Sequence, residues 1–124
     1  MKEVLLSLGV FLFIVTFIYL YKTYLVLIHV EGRSMLPTYK NGQTILAIRV
    51  NSKSPKIKEG KCYIYTRESE DMGEEIVVIK RLKQIVHDEE DTLCFFVGDN
   101  EAESYDSRNY GFINAEDIIA RPLW

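Results

Sequence analysis

The sequence is poor in the residues that build metal and redox sites: it holds two histidines and two cysteines. His29 and His87 are far apart and form no recognisable ligand set, which leaves both with structural or solvated roles. Cys62 and Cys94 are not at metal-ligand spacing, and each lies inside an apolar run. They can pair in an oxidising compartment or remain buried thiols acting as small hydrophobes, and their surroundings favour the second. Basic charge is not in excess either. A net charge of −3 gives no reason to expect nucleic acid as a partner. The acidic cluster Asp88 to Asp91 lacks the spaced ligands and turn glycine of a calcium loop, and reads as a solvated hairpin tip. No metal or cofactor is expected. Internal repeats, low-complexity tracts and linkers are missing too, so 124 residues allow one small domain plus one special segment.

That segment comes first. From Val4 to Tyr21 no residue is charged, and Ser7 and Thr16 are the only polar interruptions. As a helix this run reaches about 27 Å, close to the ~30 Å hydrocarbon core of a bilayer. Lys22 ends it, and Tyr19, Tyr21 and Tyr24 stand where an interfacial aromatic belt lies. A cleaved signal peptide needs small residues after a shorter apolar stretch, and no Ala or Gly occurs between Val10 and Gly32. A buried core helix would be apolar all round in a very small domain. Residues 1–22 are therefore expected to be a membrane anchor and residues 23–124 the folded domain. The flanking charges, Lys2 and Glu3 against Lys22 and Arg33, barely decide its orientation.

Beyond Lys22, apolar runs of four to seven residues alternate with turn-rich stretches. Tyr24–Val30, Thr44–Val50, Cys62–Thr66, Glu75–Ile85 and Leu93–Val97 read as strands, with turns at 40–42, 51–55, 59–60, 70–73 and 87–91 and a short last element at Ala115–Ile119. The pattern predicts a mainly β, antiparallel domain after a single transmembrane helix.

Three stretches carry candidate chemistry. Ser34 follows a glycine and precedes Pro37 by three residues, at the end of a strand. Such a turn can hold a hydroxyl exposed, although turn serines commonly bond only their own backbone. In Ile76–Leu82, strand alternation puts Lys80 on one face with Ile76, Val78 and Leu82. Burial there would disfavour the ammonium and lower the lysine pKa toward that of a working base; the bland alternative is a lysine that snorkels to water. Arg81, on the other face, is expected to be solvated or paired. The segment Gly98–Phe112 is dense in small polar residues and suits a surface loop. It could equally set Ser104 beside a lysine and lock itself with an Asp106–Arg108 pair.

Together these stretches resemble the type I signal peptidase family, in its bacterial Ser/Lys-dyad branch. Ser34-Met35-Leu36-Pro37-Thr38 is similar to the nucleophile box, and Val78-Ile79-Lys80-Arg81-Leu82 to the lysine box. Gly98-Asp99-Asn100, Ser104, Asp106-Ser107-Arg108 and Gly111-Phe112 are similar to the C-terminal box. The resemblance implies a membrane-bound serine endopeptidase that cuts signal peptides from exported preproteins, with Ser34 as nucleophile and Lys80 as general base. It implies that Ser104 orients the Lys80 amine, that Asp106 and Arg108 brace the Ser104 loop, and that Ile28, Val30 and Met35 meet the substrate. It further implies a cytoplasmic N-terminus and a catalytic domain on the outer face of a bacterial cytoplasmic membrane. Its partners would be the lipid and the preproteins, whether general or one dedicated cargo such as pilus or matrix subunits.

Several positions depart from the family pattern. Gly32 stands where some relatives carry a serine that completes the oxyanion hole. Lys83-Gln84-Ile85-Val86-His87 replaces a glycine- and proline-containing stretch, Glu101 stands where arginine is common, and Gly60-Lys61 replaces a frequent Gly-Asp. Seventeen residues between Lys80 and Gly98 leave room for only a minimal inserted hairpin. Two rivals compete: a scaffold that keeps the fold without its chemistry, and a self-cleaving Ser/Lys repressor. The first is expected to lose the serine or lysine; the second needs a DNA-binding domain in place of a membrane helix.

Overall fold

Apolar side chains around the whole circumference of a helix suit a lipid surround, because no face is left for water. In the computed structural model, which describes residues 1–51, 53 and 55–124, helix α1 (Lys2–Tyr24) takes this form and none of its residues is buried by protein. It is able to span a membrane by length and composition. It runs two residues past Lys22, through the tyrosine belt, and turns into extended backbone at Leu25.

Seven strands follow: β1 (Leu25–His29), β2 (Thr44–Arg49), β3 (Cys62–Glu68), β4 (Glu75–His87), β5 (Thr92–Val97), β6 (Ile113–Asn114) and β7 (Ile118–Pro122). They form one sheet in the order β1-β2-β7-β3-β4-β5-β6, with every pairing antiparallel. The fold is thus mainly antiparallel β, as the alternation of apolar runs predicts. Gly73, at a positive φ of 63°, closes the β3–β4 hairpin, where the Ser69 and Glu74 backbones join at 2.7 Å. The acidic tip at Asp88–Asp91 closes the β4–β5 hairpin and lies in solvent, as expected. Of the expected turn at 51–55, Ser52 and Ser54 lie outside the described residues.

Both faces of the sheet are covered, so the core has two parts. Val30, Met35, Tyr39, Ile45, Ala47, Ile64, Ile79 and Ala120 fill one. Tyr63, Tyr65, Leu82, Cys94, Phe96, Ile113, Ala115 and Ile118 fill the other. Pairing jumps from Ile64–Ala120 to Tyr65–Ile118, leaving Ile119 as an extra residue; this bulge sends Ala120 and Ile118 to different cores. The expected last element is correspondingly a 3-10 turn at Ala115–Asp117 followed by a strand to Pro122. Cys62 and Cys94 are free thiols on β3 and β5, and burial pushes each up to about 11.

The stretch after β5 is folded more than its composition suggests. A 3-10 turn at Glu101–Glu103 leads to a one-turn helix α2 (Ser107–Tyr110). Asp106 caps α2 by accepting from the Arg108 N–H at 3.1 Å, while Asn109 Oδ1 accepts from the Asp106 N–H at 3.1 Å.

Candidate active site

Strand alternation turns Lys80 toward the second core, where desolvation costs an ammonium most. Lys80 is 6% exposed, and its Nζ lies 2.5 Å from Ser34 Oγ. Among the described residues no carboxylate lies within ion-pair distance of it. Burial pulls its pKa below the ordinary lysine range; the negative charge of Asp106 opposes this and the positive charge of Arg67 adds to it. A buried amine held neutral can accept a proton from the hydroxyl it touches.

The polar segment after β5 fixes Ser34 from its backbone side. The Asn100 N–H donates to the Ser34 carbonyl at 2.8 Å, and Asn100 Nδ2 donates to the Arg33 carbonyl at 3.0 Å. Asp99 accepts from Arg81 Nε and Nη2, both at 2.7 Å, and from the Thr38 hydroxyl. Its carboxyl is held below the usual range, chiefly by the Arg81 bonds. Arg81 also donates to the Gly60 carbonyl at 2.7 Å. It is therefore paired, and it ties the Ser34–Thr38 segment to β4 through Asp99.

Asp106 is the centre of this support. Fully buried, it accepts from Ser104 Oγ at 2.6 Å, the Gly98 N–H at 2.8 Å and Arg108 Nε and Nη2 at 2.9 and 2.7 Å. Burial alone would raise its pKa, but the bonds from Arg108, Ser104 and the backbone outweigh it and hold the carboxyl far below the usual range. The expected Asp106–Arg108 brace is thus present. Ser104 differs from the expected geometry: its proton goes to Asp106, and no hydrogen bond to Lys80 is formed. Asp106→Asn is expected to cost about 3 kcal/mol of stability at neutral pH, as for a broken buried ion pair. A depressed carboxyl stabilises above its unfolded pKa of about 4 and loses that contribution as pH falls through the folded value. The gap between wild type and Asp106→Asn in urea unfolding should therefore narrow in acid.

A cleft of about 430 Å³ opens beside the pair, lined by Ile28, Val30, Ile76 and Val78 among others. Ile28 and Val30, which the resemblance implies meet substrate, are on its wall. Met35 is not: it is packed into the first core against Val30 and Tyr39, and is no part of the cleft wall. Arg67 and Tyr105 line the cleft and were not legible from spacing. The Arg67 guanidinium lies over the Tyr110 and Tyr105 rings, at 4.2 and 5.3 Å.

The model of the signal peptidase family, peptidase S26, matches residues 65–124. The match supports a member of the signal peptidase family. The matched region holds Lys80, Ser104, Asp106 and Arg108, and the fold adds Ser34 from outside it. That family is one of peptidases, and the apolar helix suits a membrane-anchored protein. No curated protein matches the chain.

Proposed function

We propose that this signal peptidase family member is a membrane-anchored serine endopeptidase that removes signal peptides from exported preproteins, with Ser34 as nucleophile and Lys80 as general base. The observation that carries this reading is a buried lysine without a carboxylate partner, 2.5 Å from a serine hydroxyl at the mouth of a cleft. Neutral Lys80 takes the Ser34 proton while Oγ attacks the scissile carbonyl; the proton passes to the leaving amine, and water then releases the acyl group. The Ser34 N–H is one oxyanion donor. Gly32 has no hydroxyl to offer, and its own N–H is engaged by Asn41 Oδ1 at 2.9 Å.

The substrate would bind as an extended strand. The Val30 N–H and C=O both turn toward the β2 side, to Gln43 and Gly42 at 2.8 Å. By alternation those of His29 and Glu31 face the open edge, free to pair with a peptide. The domain would lie on the outer face of a bacterial cytoplasmic membrane, with the N-terminus cytoplasmic. A scaffold that has lost catalysis is disfavoured by the retained dyad and its burial.

The test is incubation of the reconstituted full chain with a panel of signal-peptide-bearing preproteins, followed by N-terminal sequencing of the products. New N-termini directly after the signal peptides support the reading; binding of secreted subunits without any cut favours the scaffold. The pH profile gives a second test. Activity should rise with pH through the Lys80 pKa, because only the free amine is a base. Arg67→Gln removes a positive neighbour that favours the neutral amine. It is expected to move the acid limb of kcat/KM to higher pH.

A further inference from the structure

A second cleft, of about 640 Å³, shares no lining residue with the first. Lys56, Lys58, Lys61, Arg81 and Arg121 line it, and no Asp or Glu side chain does. Arg81 is taken by Asp99; the other four are exposed, and none is in an ion pair among the described residues. This concentration runs against the rest of the chain. Five of its fifteen Lys and Arg residues, but one of its eighteen Asp and Glu residues, lie between Arg49 and Lys61. Uncompensated cations gathered in one concavity repel each other and focus a positive field that an anion relieves.

The sheet register says where this field lies. Leu25, the first residue beyond α1, pairs with Ile48, and Ile48 pairs with Arg121. The next rung runs from Val26 through Ala47 to Pro122, another wall of the cleft. Arg121 is thus two strands, roughly 10 Å, from the point where the chain leaves the apolar helix. The segment carrying Lys56, Lys58 and Lys61 departs from the same end of β2. Trp124 and Leu123 are exposed at this cleft, and Trp is a residue of membrane–water interfaces.

We propose that the Lys56–Lys58–Lys61–Arg121 cleft docks on anionic phospholipid headgroups and fixes the domain against the bilayer. Arg121 can grip a phosphate through two N–H groups, while the lysines act as point charges in the headgroup layer. Held at both α1 and this cleft, the domain has one orientation on the surface in place of a swivel about a single point.

Trp124 is the chain's single tryptophan, so its emission reports this cleft alone. The full chain is reconstituted in liposomes of phosphatidylcholine, or of phosphatidylcholine and phosphatidylglycerol in equal parts, each with brominated acyl chains as quencher. The expected result is a blue shift and quenching in the anionic liposomes only. High salt should reverse both in the wild type. The Lys56→Gln, Lys58→Gln, Arg121→Gln triple variant should show neither, and exposed positions leave its circular dichroism unchanged. Equal emission in the two lipids overturns the proposal. So does a signal that persists in the triple variant, or one that responds to soluble poly-glutamate and not to phosphatidylglycerol, which would assign the cleft to an acidic polypeptide. No arm depends on proteolysis, so failure here is separable from failure of the catalytic reading.

Discussion

Replacing Ser34 by alanine or Lys80 by methionine should lower kcat/KM for preprotein cleavage on the order of 10⁴- to 10⁶-fold, as for the loss of a nucleophile or its base. The double variant should be no worse than either single one, since the two groups act as a unit. Stability should move the other way. Lys80 is buried without a counter-ion, so the folded state disfavours its charged form. For a lysine with a lowered folded pKa, that penalty is present whenever pH is below the unfolded value, and neutral pH lies well inside that range. Lys80→Met fills similar space without the charge. It should leave the melting temperature unchanged or raised while activity disappears. Parallel loss of both would mean that Lys80 serves packing, and would remove it from the dyad.

Gly98→Ala should also lower activity, less severely and through sterics alone. A Cβ built there falls 2.1 Å from Ser104 Oγ, 2.6 Å from Ser104 Cβ and 2.7 Å from the Ser34 carbonyl oxygen. The serine cannot swing aside without giving up Asp106, and the third contact is backbone. Relief requires the Gly98–Asn100 segment to move away from Ser34, which also strains the bond from Asn100 to the Ser34 carbonyl. The expected cost is about 3 kcal/mol in urea unfolding, from overpacking and a weakened buried hydrogen bond. On the proposed function, displacing Ser34 by about 1 Å should cost roughly 10²-fold in kcat/KM. A Gly98→Ala protein with wild-type stability and rate would show that the loop yields freely, and that the close approach does not position Ser34.

The positions of the longer strands along the chain and the polar stretches between them were legible because each is contiguous. An apolar run flanked by turns announces a strand, and a lysine at an inward position of Ile76–Leu82 announces a buried amine. What escaped was built by distance in sequence. Arg67, Tyr105 and Tyr110 meet because β3 and the turn of α2 come together, and no local period marks that. Met35 was expected against substrate from the family resemblance, yet the turn directs it into the first core. Ser104 was expected to serve the amine; a buried carboxylate two residues on is the stronger acceptor. The face switch in β7 depends on a single bulged residue, which an alternation argument cannot anticipate.

The junction at Leu25 has a mechanical consequence. Helix and edge strand meet with no slack between them, and the same strand continues to the cleft wall at Ile28 and Val30. On the proposed function, this makes the protein a gauge of fixed height. The catalytic hydroxyl works at one set elevation above the lipid, about six extended residues of roughly 3.3 Å each beyond the helix, less the tilt of the strand. Selection among preproteins then depends on how far a bond stands from the end of its own apolar run, as much as on the side chains around it.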